Sequence, residues 1–226
     1  KPIIWYIIKK LERSSISHII LPLGFRGNKI REYIKSEFKN SKLQIDLFNT
    51  GVNSSIAERI YLIQNYIKSD DFILLNGDTI FDFNISSIIK EHCLKKKSMT
   101  MLACSPIYDY GLIFADKDKV TSFKRNVKVK EMITLATNIK TNGLIYSGMS
   151  IIKTNSLKKM YFRKSKNFEK VFFNFLIKKN SVSVLKVVGF WFAIDLPYQL
   201  TIANKSLSDF RFKKIKKLKE SFLSER

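Results

Sequence analysis

The sequence predicts an α/β fold, a Rossmann-like, doubly wound, mixed but mostly parallel sheet with helices on both faces. Strand-like and helix-like segments alternate over the first hundred residues, and the connections between them are short. Some strand segments are uninterrupted apolar runs, as expected for strands that are covered on both faces. A fold of this kind has right-handed crossovers and binds its ligands at the carboxyl ends of its strands.

The first half of the chain begins with a predicted helix and a predicted strand. Apolar residues at helical spacing predict the helix over residues 3–12, and a Ser-Ser turn separates it from a strand at 18–21. The Gly24-Phe25-Arg26-Gly27 segment interrupts the pattern before a helix at 30–38. The next elements are a strand at 43–48, a helix at 54–67 that its first serines can cap, a buried strand at 72–75, a helix around 85–89 and a strand at 99–103.

Beyond about residue 105 the pattern changes to short strands and turns. The predicted strands lie at 111–115, 120–123, 144–152 and 183–188, and the predicted helices at 154–160 and 167–178. We expect this part to complete the sheet and to cover the site. The predicted organisation is one domain over residues 1–206, divided into halves at 1–104 and 105–206, and a basic tail at 207–226.

The net charge of +22, from 41 basic and 19 acidic side chains, suggests a polyanionic partner or anionic small substrates. The lysines are scattered and no recognition motif for nucleic acid accompanies them, so a lysine-rich composition is the favoured explanation of the charge. No nucleic-acid partner is therefore expected. The most concentrated basic stretch, Arg211 to Arg226, has the apolar spacing of a solvated terminal helix, and contact with an acidic surface is the alternative.

Several classes of protein are disfavoured by the composition. No apolar run approaches the roughly 18 to 20 residues of a membrane span. Cys93 and Cys104 form no metal-ligand pattern, and nothing requires an oxidising compartment, so we expect a cytoplasmic protein. His18 and His92 are isolated in the sequence, which argues against a histidine metal site or a Ser-His-Asp triad.

The strongest local signal follows the apolar strand at 72–75, where the sequence reads Asn76-Gly77-Asp78-Thr79. A carboxylate at the end of a buried strand can hold a hard divalent cation, and a glycine beside it lets the backbone approach a phosphate. The alternative is that Asp78 caps a helix that begins after this turn.

A second signal is the aromatic, strand-like run from Gly189 to Asp195, which precedes a helix that begins near Pro197. Two aspartates, each at a predicted strand-to-helix junction, could share one Mg²⁺ between the phosphates of a nucleotide. The alternative is that Asp195 is the N-cap of the helix, since proline suits the first helical position. The two roles are compatible.

These motifs resemble those of the sugar-1-phosphate nucleotidylyltransferases in order and spacing, over residues 1 to about 205. The residues that carry the resemblance are Lys1 to Ile7, Gly24 to Gly27 followed by Ile30, Asn76 to Asp78, and Gly189 to Asp195. Within the family, Asp46 to Gly51 with Ser54 and Ser55 is most similar to the glucose-1-phosphate cytidylyltransferases. The resemblance implies the nucleotide-diphospho-sugar transferase type of fold, with the nucleotide on the side of the first half and the sugar on the side of the second.

The resemblance also implies a reaction and a set of site residues. A sugar 1-phosphate attacks the α-phosphorus of a nucleoside triphosphate, CTP by the narrower match, and displaces pyrophosphate without a covalent enzyme intermediate. The product would serve polysaccharide or surface-glycan synthesis, and members of the family often form homo-oligomers. By the same resemblance, Asp78 and Asp195 are catalytic Mg²⁺ ligands, Thr50, Gly51 and Ser55 lie near the base or ribose, and Gly77 leaves room for the nucleotide.

The chain departs from the family pattern in three places. The family's Gly-rich loop, with its Arg and following Lys, should precede Lys1, and we expect the chain as given to be inactive alone. The usual Glu-Lys-Pro is replaced by Lys124-Arg125-Asn126. The usual Asn-Gly-Gly aligns with Tyr146-Ser147-Gly148 or with Asn142-Gly143.

These departures affect the sugar side, where Arg125, Ser147 and Gly148 are the implied sugar-phosphate residues. A solvated turn residue is the alternative for Arg125. The sequence leaves open a catalytically inactive relative that binds a nucleotide or a sugar, and, as a third reading, a basic nucleic-acid-binding domain.

Overall fold

The computed structural model describes residues 1–105, 111–125, 132–133, 140–141, 143–158 and 167–208. The elements of the first half are α1 (Ile3–Glu12), β1 (His18–Leu23), α2 (Gly27–Glu37), β2 (Gln44–Asn49), α3 (Ile56–Ile63) with a 3₁₀ turn (Gln64–Tyr66), β3 (Asp71–Leu75), β4 (Thr79–Phe81), α4 (Ile85–Lys95) and β5 (Met99–Cys104). Those of the second half are β6 (Leu112–Asp116), β7 (Lys119–Lys124), β8 (Met132–Ile133), β9 (Lys140–Thr141), β10 (Ile145–Lys153), α5 (Asn155–Lys158), a π-helix (Glu169–Phe173), α6 (Asn174–Lys178), β11 (Val182–Lys186), β12 (Trp191–Ala193) and α7 (Pro197–Ser208).

The central sheet is mixed and mostly parallel in strand direction, as predicted. β10 pairs antiparallel with β3 on one side and with β5 on the other, and β11 pairs parallel with β5. Hence β3, β5 and β11 all run in one direction and β10 runs against them. β1 and β2 form a further parallel pair. Among the described strands, β1 pairs only with β2 and β3 only with β10, so each has one edge without a strand partner.

Helices cover both faces of the sheet, which confirms the doubly wound arrangement. One core packs α1, α2 and α4 against the sheet, and the other contains α3, the π-helix and α6. The apolar residues of β3 alternate between the two, since Ile73 and Leu75 pack in the first core and Phe72 and Leu74 in the second. A strand that serves two cores needs apolar residues at every position, and the uninterrupted run has this property.

The sequence prediction missed β4, and this changes the position of Asp78. β4 pairs antiparallel with β12, with Thr79 opposite Ala193 and Phe81 opposite Trp191. Asp78 therefore lies in a turn between two strands, and the predicted strand-to-helix junction is wrong. The alternative of Asp78 as a helix cap is also wrong, because the helix that follows, α4, is capped by Asn84, whose side chain accepts a hydrogen bond from the Ser87 amide at 3.0 Å.

The second half differs from the prediction mainly in its boundaries. The helix predicted at 154–160 is observed as α5, with residues 159 and 160 outside the described part, and the helix at 167–178 is a π-helix that continues into α6. α7 runs to Ser208, two residues beyond the predicted end of the domain, and the predicted helix over 211–226 lies outside the described residues. No helix in the described part of the chain is long and apolar enough to cross a membrane.

Candidate functional site

The pairing of β4 with β12 brings Asp78 and Asp195 to neighbouring positions. Asp78 immediately precedes β4, and Asp195 follows β12 by two residues. The Ile194 amide donates a hydrogen bond of 2.9 Å to the Asp78 carbonyl, so the two chain segments are adjacent at this point. At the other end of the ladder the Asp82 amide donates to the Phe190 carbonyl at 3.1 Å. A short ladder of backbone hydrogen bonds thus joins two acidic positions that are far apart in sequence.

Among the described residues, no cation compensates the charge of Asp78. Its Oδ1 atom is buried and has no hydrogen-bond partner among the residues that the structure describes. Burial raises the pKa of Asp78 above the usual value, the nearby charge of Asp195 raises it further, and a backbone hydrogen bond acts in the opposite direction. Two neighbouring carboxylates, one of them desolvated, form a site at which a bound cation would relieve both the burial and the repulsion.

Gln199 caps the start of α7, a role that the sequence analysis considered for Asp195. The Gln199 Oε1 atom accepts hydrogen bonds from the amides of Asp195 at 2.7 Å and Leu196 at 2.8 Å. Pro197 is the first helical residue, as the sequence predicts. Because α7 begins at Pro197, the N-cap residue is Leu196 and not Asp195, and the exposed Asp195 carboxylate remains available to a ligand.

The two carboxylates suit a cation whose remaining ligands are waters and substrate oxygens. Within the described ranges, no group of three or more His, Cys, Asp and Glu residues could hold a metal ion. Mg²⁺ in phosphate-transfer sites is held by one or two carboxylates, and waters and substrate phosphates complete its octahedral shell. The pair Asp78 and Asp195 fits that pattern, whereas a structural zinc site would need four nitrogen or sulfur ligands.

Ser147 and Gly148, the predicted sugar-phosphate residues, lie on a bulge in β10 beside the turn that carries Asp78. The Gly148 carbonyl accepts a hydrogen bond from the Asn76 amide at 2.9 Å, and Gly148 has a φ of +76°. A Cβ atom at Gly148 would lie 3.0 Å from Asn76 Nδ2, so only glycine fits this backbone comfortably. The Trp191 indole donates to the Ser147 carbonyl at 2.8 Å and so forms a wall of this region.

Two further features lie near the carboxylates: a buried hydroxyl without a hydrogen-bond partner among the described residues, and open space beside a glycine. Ser147 is only 1% exposed, and its hydroxyl has no partner in the described part of the structure. Gly77 is exposed, and a Cβ atom built there would meet no atom within 4 Å. Open space therefore lies beside Gly77, where the sequence predicts room for a nucleotide.

Thr50, Gly51 and Ser55, the predicted nucleotide-side residues, lie in the connection between β2 and α3. The Thr50 hydroxyl is buried and donates to the Leu23 carbonyl at 2.9 Å. The Ser55 hydroxyl accepts from the Glu58 amide at 3.3 Å, and the Glu58 carboxylate accepts from the Ser55 amide at 2.7 Å, which is a capping box for α3. Both hydroxyls hold the shape of the loop, so any contact they make with a ligand would be additional.

Arg59 is the residue of this region that the sequence interpretation missed. On α3, its guanidinium reaches back to the loop: Nε donates to the Ser54 carbonyl at 3.1 Å, and Nη1 to the Pro22 carbonyl at 3.3 Å and to Thr50 Oγ1 at 3.2 Å. Nη2 donates to the Gly51 carbonyl at 3.4 Å. Its position one turn into the helix that follows the Thr-Gly motif is the only sequence signal, and the many other basic residues obscure it.

Arg125 is not brought to the carboxylate pair by any contact among the described residues. It follows β7 in the β6–β7 hairpin, where it is exposed, and its guanidinium lies 5.7 Å from the centroid of the Phe123 ring. This favours the alternative of a solvated turn residue. Asn126 and Asn142, which also belong to the altered motifs, lie outside the described part of the chain.

Comparison with known proteins agrees with this geometry. A sequence model of the family described as "Nucleotidyl transferase" matches residues 1–184. A Bacillus subtilis protein named "Probable glucose-1-phosphate cytidylyltransferase" is 26% identical in an alignment that covers 91% of this chain and 84% of the relative.

A second relative shows how far the named activities of such proteins vary. The D-glycero-alpha-D-manno-heptose 1-phosphate guanylyltransferase of Campylobacter jejuni is 30% identical over 137 residues, and the match covers 58% of this chain and 58% of the relative. Among solved structures, HddC from Yersinia pseudotuberculosis complexed with GMP-PN is 18% identical, with a TM-score of 0.62 and coverage of 92% of this chain and 86% of that one. At this level of identity the structural likeness shows the fold alone.

Proposed function

Because this chain belongs to the nucleotidyl transferase family, we propose that it transfers a nucleotidyl group from a nucleoside triphosphate to a sugar 1-phosphate. The observation that carries the proposal is the pair of neighbouring carboxylates, Asp78 and Asp195, beside the open space at Gly77. The names of the relatives support the substrate class, since both describe enzymes that act on sugar 1-phosphates.

In the proposed reaction, a phosphate oxygen of the sugar 1-phosphate attacks the α-phosphorus of the triphosphate. A new P–O bond forms while the bond to the bridging oxygen of the β-phosphate breaks, and its electron pair leaves with pyrophosphate. Such a reaction needs two polyanions held in line and the neutralisation of charge on the transferring phosphorus. Apart from holding a cation, the protein therefore contributes chiefly by positioning.

The proposed role of Asp78 and Asp195, in their ionised forms, is to hold Mg²⁺. When bound there, Mg²⁺ would neutralise phosphate charge and align the reacting groups. Trp191 and the β10 bulge, which carries Ser147 and Gly148, form the adjacent wall. Gly77 leaves the backbone accessible to the triphosphate.

The finer assignment concerns the base and the sugar. We propose CTP and glucose 1-phosphate as the first pair to test, on the strength of the segment from Asp46 to Gly51 with its following serines and of the name of the B. subtilis relative. The C. jejuni relative makes GTP with a heptose 1-phosphate the second pair. We further propose that the reaction takes place in the cytoplasm and supplies polysaccharide synthesis.

The test is an activity screen on the protein as its gene encodes it. CTP, UTP, dTTP and GTP are each combined with a panel of hexose and heptose 1-phosphates in the presence of Mg²⁺, and pyrophosphate release is measured. We expect one pair to exceed the others clearly. If no pair yields pyrophosphate, the proposed function is rejected.

A second candidate is a relative that binds nucleotide or sugar phosphate without turning it over. The replacement of the family's Glu-Lys-Pro by Lys124-Arg125-Asn126, and the position of Arg125 over Phe123, favour it. Calorimetric binding of a nucleotide with Mg²⁺, together with no pyrophosphate release in the screen, would establish this alternative.

A further inference from the structure

The two carboxylates of the candidate site lie at one end of the two-stranded ladder of β4 and β12, and the register of that ladder determines their separation. Among the described strands, β4 pairs only with β12. A slip of one residue along the ladder would move Asp195 by about 3.3 Å relative to Asp78. Mg²⁺ does not tolerate such a change, because it requires near-ideal octahedral geometry with ligands at about 2.0–2.1 Å.

The other end of the ladder is held by Asp82, which follows β4. The Asp82 amide donates a hydrogen bond of 3.1 Å to the Phe190 carbonyl, and the Asp82 carboxylate accepts a hydrogen bond from the Phe190 amide. One residue thus binds both backbone groups of the residue that precedes β12. Because a two-stranded ladder is only marginally stable by itself, the Asp82 side chain adds a contact that opposes a shift of register.

Lys10 on α1 binds the acceptor that this arrangement leaves unused. In a regular antiparallel pair the Phe190 amide would donate to the Asp82 carbonyl. Here that carbonyl instead accepts a hydrogen bond of 3.0 Å from the Lys10 Nζ atom. Burial lowers the pKa of Lys10, and the nearby Asp82 carboxylate opposes this effect. The end of the ladder is thereby tied to α1, which packs in the same core as Phe81 of β4.

Gly189 leaves room for the Asp82 carboxylate. Its φ of +132° lies in the region that favours glycine. A Cβ atom at this position would overlap with Asp82 Oδ1 and would lie 3.3 Å from Asp82 Cγ. The carboxylate that binds the Phe190 amide therefore fills the space that a side chain at position 189 would need. This explains the glycine at the start of the motif from Gly189 to Asp195.

We propose that Asp82 and Lys10 are positioning residues for the Mg²⁺ site, because together they fix the register in which β12 lies on β4. This inference rests on the proposed function and deepens it, since it names residues that hold the geometry of the two metal ligands. Asp82 lies about 13 Å along the strand from Asp78, so it acts through the backbone and not by contact with the metal. A side chain that keeps the acceptor for the Phe190 amide should serve without a negative charge.

The experiment uses three variants of this end of the ladder, in the protein as its gene encodes it. Asp82→Ala removes the acceptor of the Phe190 amide, and Asp82→Asn keeps an acceptor oxygen without the charge. Lys10→Met removes the donor to the Asp82 carbonyl and keeps an unbranched side chain. The measurements are the Mg²⁺ concentration at the midpoint of the Mg²⁺-induced rise in Tm, and amide hydrogen exchange of the segment 190–195 without metal.

Two matched controls remove comparable contacts that do not involve β12. Lys9→Met changes the neighbouring lysine of α1, whose Nζ atom lies 2.7 Å from Glu12 Oε2. Asn84→Ala removes the cap of α4, in which the Asn84 side chain accepts a hydrogen bond from the Ser87 amide at 3.0 Å. Both controls should lower Tm, and neither should change the Mg²⁺ midpoint by more than about twofold.

We expect Asp82→Ala to raise the Mg²⁺ midpoint by about tenfold or more, as the loss of residues that orient metal ligands does in other sites. The segment 190–195 should exchange faster in this variant before any metal is added. Lys10→Met should raise the midpoint by a smaller factor. The direction of this change is informative, because the loss of a positive charge would by itself strengthen cation binding.

Asp82→Asn separates geometry from charge. If the register is what matters, its Mg²⁺ midpoint should remain within about twofold of that of the unaltered protein, because the amide oxygen still accepts from Phe190. If the negative charge of Asp82 attracted the cation directly, Asp82→Asn would be weakened as much as Asp82→Ala, and the inference would be overturned.

The outcomes distinguish this inference from the proposed function. If the unaltered protein responds to Mg²⁺ and the midpoint is unchanged in either Asp82→Ala or Lys10→Met, the inference is overturned and the proposed function stands. If Asp82→Ala does not fold, Lys10→Met and Asp82→Asn decide by the same criteria. If the unaltered protein shows no Tm response to Mg²⁺, the inference fails with the metal assignment, and pyrophosphate release in the activity screen decides the proposed function separately.

Discussion

At the scale of single residues, the proposed chemistry depends on an acidic side chain whose ionised form lowers the stability of the folded protein. Asp78 has a buried oxygen without a partner among the described residues and lies near the negative charge of Asp195. A carboxylate in that environment destabilises the folded state when it is ionised, and a bound cation removes the penalty. Both effects can be measured without any assay of turnover.

Substitution of either aspartate by asparagine should abolish turnover while the fold is retained. We expect Asp78→Asn and Asp195→Asn to lower kcat/KM by roughly 10³-fold or more, because a neutral amide is a poor ligand for a hard cation. Circular dichroism should show unchanged secondary structure. Asp70→Asn, which changes an exposed aspartate ahead of β3, is the control and should retain full activity. Near-normal rates in either active-site variant would contradict the metal assignment.

The pH dependence of stability should reveal the raised pKa of Asp78. A carboxyl whose pKa is higher in the folded state than in the unfolded state lowers stability as pH rises from its unfolded pKa through its folded pKa. Asp78→Asn should therefore have a higher Tm than the unaltered protein at pH 7. This advantage should disappear once the pH is below the usual pKa of aspartate, at which Asp78 is protonated in both states. A Tm difference independent of pH would contradict the assignment.

Metal addition gives a third measurement at this scale. Because a ligand that binds only the folded state stabilises it by mass action, Mg²⁺ at about 100 times its dissociation constant should add about 2.7 kcal/mol to the free energy of unfolding. We expect the Tm of the unaltered protein to rise with Mg²⁺ and that of Asp78→Asn to stay constant. Chelation with EDTA should reverse the rise.

The sequence allowed Asp78 and Asp195 to be predicted as candidate ligands because each follows an apolar strand-like run. It did not indicate Arg59, whose acceptors are backbone carbonyls and one hydroxyl. Every residue except proline offers the same backbone groups, so no pattern of residue types marks such contacts. Arg125 shows the opposite case, since a charged side chain near an altered motif suggested a role that its position over Phe123 does not support.

At the scale of secondary-structure elements, the site is shaped by short segments that have little periodicity. β4 and β12 have three residues each, and the β10 bulge interrupts a long strand between Tyr146 and Ser150. Helices and long strands were predicted because their apolar repeats extend over several turns or pairs. A three-residue strand has no such repeat, and only its partner, more than a hundred residues away, determines that it forms.

The two glycines nearest the carboxylates should respond differently to substitution. Gly148→Ala forces a side chain into a positive φ and against Asn76, and should lower the free energy of unfolding by roughly 1–3 kcal/mol. Gly77→Ala places its methyl group in open space and should change stability by less than about 0.5 kcal/mol. Urea unfolding of both variants measures the difference. Gly77→Ala should nevertheless weaken nucleotide binding, and equal stability losses in the two variants would contradict this description of the turn.

The cap of α7 should influence the metal site through Asp195. Gln199→Ala leaves the amides of Asp195 and Leu196 without their acceptor and should cost about 1 kcal/mol of stability. Loss of this acceptor should loosen the backbone that carries Asp195, and this should weaken Mg²⁺ binding. Titration of Tm with Mg²⁺ in this variant measures the effect, and an unchanged Mg²⁺ midpoint would show that the cap and the metal site are independent.

At the scale of the whole molecule, the alternation of helices and strands was sufficient to predict the layers. β3 illustrates why, because a strand with apolar residues at every position must be covered on both sides, and its two faces do pack in two different cores. The sequence did not specify which strands are neighbours. Strand order depends on contacts between distant segments, such as β11 beside β5, that no local pattern encodes.

The edge of β3 that faces away from β10 has a consequence for how this molecule behaves in concentrated solution. All five of its residues are only half-buried although four of them are large and apolar. Backbone amides and carbonyls without a strand partner, next to apolar side chains, can form β-sheet hydrogen bonds with an extended segment of another molecule. We expect light scattering to report aggregation that rises steeply with protein concentration.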